Sequence, residues 1–458
     1  MQSKCKEREG NRKRFKKPSF KDCTLLELEL RIRANGEQNV VQLEILVDGT
    51  SQPQLLSFQV GGLSSCCGIA FRLLYGRSLE ISPVSDNPFL ETTQISTPPV
   101  VSVNSQENAH QIALQGYGKK STGNGKKCDL FTGNWIPDAA GPIYTNKCRF
   151  IEEHQNCLKN GRPDTGYLYW RWKPRGCDLP RFDPEKFLDS MRNKSWALIG
   201  DSISRNHVQS LLCMLSTVEQ AVEVYHDENY KFRRWVFPSH NFTLSVIWSP
   251  FLAEAAIFED MNGVSSSEIE LQLDILDKNW TEQYKNWDYM IFSSGKWFVK
   301  AAIYYENNTI LGCHSCPKLN VTELGIEFAY RTVIRNVFKY IIASKHKGMF
   351  FYRTSTPDHF ENGEWFSGGV CERKVPAKEG EFKLNELNKI LRTVELEEFE
   401  KASAKASENG VALKLFDVNP LSLLRPDGHP GPYRFFQPFA KDKNAKVIID
   451  CLHWCQAP

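Results

Sequence analysis

Apolar positions along the chain fall into short runs separated by segments of helical spacing, and the alternation is clearest after Phe182. Residues 196–199 predict a buried strand, Gly200-Asp201-Ser202 a sharp turn, and Val208, Leu211, Leu212 and Leu215 recur as on one face of a helix running to about Val218. Beyond it the pattern predicts a short strand VEVY, a hairpin over 232–249 and a strand WDYMIFSS from Trp287. A helix over 323–344, a strand GMFFYRT from Gly348, a long charged helix over 385–409, and strands ALKLFDV from Ala412 and KVII from Lys446 complete the order. Short apolar strands separated by helices argue an α/β domain with a mainly parallel sheet. Ligands of such sheets sit beyond the carboxyl ends of the strands, where Ser202, Gly295, the 354–359 loop and Asp450 with His453 would all lie.

The first part of the chain reads differently. KEREGNRKRFKK is a basic run, residues 25–33 alternate leucine with charge, and residues 54–75 are moderately apolar. Neither apolar stretch reaches the ~20 mostly apolar residues of a membrane span, since Gln59, paired glycines, serines and Arg72 interrupt the second. Residues 82–127 are rich in Ser, Thr, Asn, Gln and Gly without periodicity and predict a disordered linker. Residues 128–180 are dense in Gly, Pro, Trp and Cys, which predicts an irregular, disulfide-tied subdomain. The expected division is therefore 1–125 as an N-terminal region, doubtful or disordered, with its linker, 126–180 as a Cys/Trp-rich subdomain, and 181–458 as the α/β domain.

Composition narrows the function. With 57 basic against 54 acidic residues, a net charge of +3 gives no electrostatic case for a nucleic-acid partner. Of fourteen cysteines, Cys5, Cys23, Cys66 and Cys67 precede the linker; the other ten, Cys128, Cys148, Cys157, Cys177, Cys213, Cys313, Cys316, Cys371, Cys451 and Cys455, follow it. An even set of ten fits a disulfide framework made in the secretory pathway, with its pairing open. Sequons at Asn193, Asn241, Asn279, Asn307 and Asn320 point to the same compartment. Zinc at Cys313-x-x-Cys316 would need a second ligand pair at matching spacing, and His359, Glu361 and Glu364 lack ligand spacing, so no metal site is predicted.

Candidate chemistry starts at Ser202, which stands where a strand gives way to a helix. Its hydroxyl is held clear of the core there, beside unpaired N–H groups of the first turn that suit an oxyanion; the competing reading is that Ser202 or Ser204 caps the helix. Asp450 and His453, three apart, share a face if the segment turns helically, so Asp450 can orient His453 as a general base. His429, two residues from Asp427 in a proline-stiffened loop, is the rival base but suits shaping a groove. Arg205 can bind substrate or pair with an acid, and Asn206 can donate to an oxyanion or pack the helix. Trp170 and Trp172 share one face of an extended WRWK, as a glycan platform or as core indoles.

The segments CDLFTGNWIPD, HQNCLKNGRPDTGYLYWRWKPRGCDLPRFDP, GDSISRNHVQSLLC, TSTPDHFENGEW, RPDGHPGPYR and DCLHWC span residues 128–455. A GDS turn with a late D-x-x-H resembles the GDSL/SGNH hydrolase layout, and the whole set resembles the plant trichome birefringence-like family of polysaccharide O-acetyltransferases. The resemblance implies an SGNH-like three-layer domain, a triad of Ser202, His453 and Asp450, and Gly295 as a backbone oxyanion donor; the family's oxyanion Asn is not clearly in place. It implies disulfides Cys157–Cys455 and Cys371–Cys451, an acetyl donor such as acetyl-CoA as co-substrate with no bound cofactor, and a cell-wall polysaccharide acceptor, closest to the xyloglucan branch. A polysaccharide acetyl esterase and a non-catalytic wall-polymer binding protein are the alternatives. The resemblance also implies a single membrane anchor and a place in the Golgi lumen; no such anchor is evident in this sequence, either because the chain lacks it or, the favoured reading, because its first hundred residues come from a wrong gene model.

Overall fold

The computed structural model describes residues 128–258 and 265–456, together with four strands nearer the N-terminus. These four are β1 (Lys13–Phe15), β2 (Leu28–Ala34), β3 (Val40–Val47) and β4 (Gln54–Gln59), which form an antiparallel sheet in that order within a unit of their own. The leucine–charge alternation of residues 25–33 overlaps strand β2. The 82–127 linker and Cys5, Cys23, Cys66 and Cys67 lie outside the described residues.

In the second unit, β5 (Asp129–Pro137) and β6 (Trp170–Arg175) make an antiparallel ribbon. Then follow α1 (Pro184–Ser190), β7 (Ser195–Gly200), α2 (Ser202–Leu215), β8 (Val222–His226), β9 (Phe232–Phe237), β10 (Phe242–Trp248), β11 (Ala253–Ala256) and β12 (Ile269–Leu276). The chain continues with α3 (Lys278–Thr281), β13 (Tyr289–Phe292), β14 (Ala302–Glu306), β15 (Thr309–His314), α4 (Gly325–Ala343), β16 (Met349–Arg353), α5 (Glu386–Glu408), β17 (Ala412–Phe416) and α6 (Asn419–Leu423).

A seven-stranded sheet of order β17-β16-β13-β7-β10-β9-β8 forms the middle layer, with β17 to β10 parallel and β9 and β8 antiparallel at one edge. Strand alternation separates its two cores. Leu198 packs with Val208, Leu212 and Leu215 of α2 and Leu188 of α1, while Ala197 and Ile199 belong to the core of Val333 and Val337 on α4 and Leu391 and Val394 on α5. Full burial of each such side chain contributes ~1.5–3 kcal/mol, so β7, buried on both faces, fixes the segment that leads into Ser202. The α/β class and mainly parallel sheet are as the sequence predicts. A second four-stranded sheet, β11-β12-β14-β15, is an addition to that expectation.

KVII is not a strand. Ile448 is 68% exposed, so the apolar run has no sheet edge to bury against, and Asp450 makes only an isolated bridge to Gly431. Two of the five disulfides among the described residues, those of Cys451 and Cys455, hold this terminus instead. Cys128 pairs with Cys177, Cys148 with Cys213, Cys157 with Cys455, Cys371 with Cys451 and Cys313 with Cys316. Among the described residues no helix is long and apolar enough to cross a membrane.

Candidate active site

Gly200 ends β7 in a left-handed conformation (φ 155°), and a Cβ there would come within 2.1 Å of the Ser293 carbonyl oxygen on neighbouring β13. Only glycine permits so close an approach. The chain then enters α2, whose N-cap is Asp201: its Oδ1 accepts the Ile203 N–H at 3.0 Å. Neither Ser202 nor Ser204 caps the helix. The Asp201 carbonyl takes the Ser204 N–H at 3.1 Å, so of the first-turn donors only the Ser202 N–H is left to an oxyanion forming at the Ser202 hydroxyl.

His453 and Asp450, 251 and 248 positions further along, close on this turn. His453 Nε2 lies 2.7 Å from Ser202 Oγ, and His453 Nδ1 lies 2.8 Å from Asp450 Oδ2. The other carboxylate oxygen, Oδ1, accepts the N–H groups of Leu452 at 3.1 Å and His453 at 2.9 Å, so a carboxylate-stapled turn sets the spacing. Burial would push the Asp450 carboxyl up. The charges of His453 and Arg434 and the backbone donor outweigh it and hold the group well below its usual range. A fixed anion facing Nδ1 fixes the tautomer whose Nε2 accepts a proton, and an imidazole so held can draw the proton from the Ser202 hydroxyl.

Arg434 escapes the sequence reading, although RPDGHPGPYR ends on it. Its Nη1 bonds Asp450 Oδ2 and lies 3.4 Å from His453 Nδ1. One arginine after a proline-rich loop carries no signal in sequence of what it will face. His154, from the segment before α1, has its ring pushed down to about 4: burial is the main cause, the Glu152 carboxylate opposes it, and the Arg434 and Arg205 guanidinium groups add to it.

The other candidates occupy different places. Asn206 is 1% exposed and clasps the last segment: its Nδ2 donates to the Trp454 carbonyl and its Oδ1 accepts the Trp454 N–H, each at 3.4 Å. Arg205 lies over the Trp248 ring at 4.7 Å, with its buried Nε unpartnered. Trp248 is paired in register with Gly200, so this cation and indole stand at the carboxyl ends of the strands, from which Ser202 projects. Gly295 (φ 149°) follows β13 at the same end of the sheet, and a Cβ on it would meet Ser355 at 3.1 Å.

Asp427 is engaged elsewhere: its carboxylate is bonded by Arg425 at 2.8 and 3.2 Å, and its carbonyl accepts Arg162 Nη2. His429 has both nitrogens taken, Nδ1 by the His453 carbonyl at 2.8 Å and Nε2 by His359 Nδ1 at 2.7 Å. Burial pushes the His429 ring down to about 4 and that of His359 to about 3. His429 thus offers Ser202 no nitrogen, and supports the base from behind through its carbonyl. His359 Nε2 in turn bonds the Leu423 carbonyl at 2.9 Å, a scaffold role for the 354–359 loop. Of the indole pair on β6, Trp172 packs at 5.5 Å against Trp135 and donates Nε1–H to the Leu130 carbonyl, while Trp170 is half-buried.

Comparison with known proteins places this arrangement in a family. Residues 179–457 match the model of the GDSL/SGNH-like acyl-esterase family found in Pmr5 and Cas1p, and residues 126–178 match the PMR5 N-terminal domain. Trichome birefringence-like protein 23 of Arabidopsis thaliana is 52% identical over 404 residues, which cover 88% of this chain and 91% of that protein. Xyloglucan O-acetyltransferase 1 of Populus trichocarpa is 44% identical over 335 residues, 72% of this chain and 77% of that protein. The protein of the same name in Arabidopsis thaliana is 44% identical over 330 residues, 72% and 76% of the two chains. With an SGNH-like domain over most of its length and relatives at 52% identity, the chain belongs to the GDSL/SGNH-like acyl-esterase family and, within it, to the trichome birefringence-like proteins.

Proposed function

We propose that this protein is a polysaccharide O-acetyltransferase that moves acetyl groups onto sugar hydroxyls of a plant cell-wall polymer, with xyloglucan as the acceptor. The observation that carries the chemistry is the continuous line from Asp450 through His453 to Ser202, at 2.8 and 2.7 Å. The acceptor is suggested by relatives named xyloglucan O-acetyltransferases at 44% identity.

In this reading His453 takes the Ser202 proton as Oγ attacks the donor's acetyl carbonyl, and the Ser202 and Gly295 N–H groups hold the tetrahedral oxyanion. Collapse breaks the bond to the donor's leaving group, which departs with the proton held by His453. A sugar hydroxyl then gives its proton to His453 and attacks the acetyl-enzyme; the new ester leaves and Ser202 recovers the proton. The donor is an activated acetyl compound such as acetyl-CoA. Water in place of the sugar gives hydrolysis, and the acyl-esterase description of the family keeps that reading in play.

Five disulfide pairs and exposed asparagines at all five sequons support work in the secretory lumen, and we place the protein in the Golgi, associated with its membrane. The test is to incubate purified protein with an acetyl donor and a panel of unacetylated oligosaccharides, scoring mass gain and released acetate together. Mass gain on xyloglucan fragments supports the reading. Acetate release indifferent to every acceptor contradicts it.

A further inference from the structure

Between His359 and Cys371 the chain leaves the body of the domain and returns, and both of its feet are fastened to Cys451. The His359 N–H donates to the Cys451 carbonyl at 3.0 Å, and Cys371 is joined to Cys451 by a disulfide. Cys451 stands between Asp450 and His453, so whatever this excursion carries is anchored to the loop that positions the base. Glu361 and Val370 pair across its neck by two backbone hydrogen bonds, of 2.8 and 2.9 Å.

At the tip, Trp365 is 69% and Phe366 72% exposed. Their rings meet edge to face, with centroids 5.4 Å apart. The display is built. Ser367 and Gly369 donate backbone N–H to the Glu364 carbonyl, at 3.1 and 2.9 Å, and Ser367 Oγ accepts the Glu364 N–H at 2.8 Å. Gly363 and Gly369 approach so closely that a Cβ on Gly369 would lie 2.5 Å from the Gly363 carbonyl oxygen. Arg373 braces the neck through Glu361 and Glu381. Two large aromatic side chains held in water by a rigid turn forgo the burial that stabilises such residues elsewhere.

The geometry points to Trp365 and Phe366 as a docking platform for the neutral sugar faces of the acceptor polymer, beside the catalytic crevice. The inference rests on the proposed polysaccharide acceptor and adds a binding site to it. Four residues on each side of the neck reach at most ~15 Å at ~3.3–3.6 Å per residue, so the platform stays close to the base loop and can hold a polymer that extends beyond the reacting sugar. Charge selects the class of ligand. Residues 360–372 contain Glu361, Glu364 and Glu372 and neither Lys nor Arg, and the next two cations, Arg373 and Lys374, are engaged by Glu361, Glu381 and Asp164, which disfavours anionic lipid and nucleic acid. The apolar C–H faces of an uncharged sugar chain meet no such penalty against indole and phenyl rings.

The test compares full-chain wild type, the double variant Trp365→Ala/Phe366→Ala and the conservative Trp365→Tyr/Phe366→Tyr. Binding of unacetylated xyloglucan is measured by calorimetry in each, and again in the Ser202→Ala background, where no turnover occurs. The double alanine variant should bind the polymer about tenfold more weakly, the tyrosine variant should recover most of that loss, and hydrolysis of a small acetyl ester should be unchanged. Unaltered polymer affinity in the alanine variant overturns the platform. So does aromatic-dependent binding to zwitterionic vesicles without polymer binding, which would assign the pair to a membrane surface. The binding arm is independent of catalysis: if Ser202→Ala leaves small-ester turnover intact, the proposed chemistry fails while the platform can still stand.

Discussion

Asn206 holds Trp454 by both backbone groups, donating to its carbonyl and accepting its N–H at 3.4 Å each. The residue one turn along the helix that begins at Ser202 therefore sets the position of the residue after His453. Asn206→Ala should lower kcat by one to two orders of magnitude, because a misplacement of ~1 Å can cost on the order of a hundredfold. Its melting temperature should fall only modestly, with two long hydrogen bonds lost. Steady-state kinetics with thermal unfolding checks this; wild-type kcat in the variant contradicts it.

Arg434 and His453 share one carboxylate oxygen of Asp450. Arg434→Gln removes one of the charges that hold the Asp450 carboxyl below its usual range, so that pKa rises and protonation sets in at higher pH. Activity should be lost on the acid side at a higher pH than in wild type, with the alkaline side little changed. A pH profile of kcat for both proteins measures the shift.

How far these partners could be foreseen depended on the kind of signal each leaves. The order of strands and helices from β7 to β17 follows from apolar runs and helical spacing, which local sequence carries. The second sheet was legible too: IELQLDIL alternates with period two, its Ile269, Leu271 and Leu273 are buried, and Asn307-Asn308 supply the two positive φ values of a tight hairpin turn between β14 and β15. Paired asparagines tolerate positive φ, which is the local signal such a turn leaves in sequence. Arg434 and the His359–His429 contact are different, since each depends on loops meeting across some 16 to 70 residues. No local pattern encodes that. KVII failed for the opposite reason: its composition is that of a strand, and the absence of a sheet edge to receive it is a tertiary fact.

The disulfides Cys157–Cys455 and Cys371–Cys451 bracket His453. Each closes a long loop and contributes ~2–4 kcal/mol, yet the larger effect should be on geometry. Cys455→Ser, and mild reduction of wild type, should lower activity well beyond what the fall in thermal stability accounts for. Free thiols at both Cys451 and Cys455 in active protein, found by non-reducing peptide mapping, would contradict this.

The central claim is that Ser202 carries the acetyl group. The most direct measurement is intact-protein and peptide mass spectrometry after incubating wild type and Ser202→Ala with acetyl donor and no acceptor. The account predicts one acetyl group on Ser202 of wild type, discharged when xyloglucan oligosaccharide is added, and none on the peptide that contains Ser202→Ala, whose transferase activity is abolished. Acetyl transfer undiminished in Ser202→Ala would contradict it.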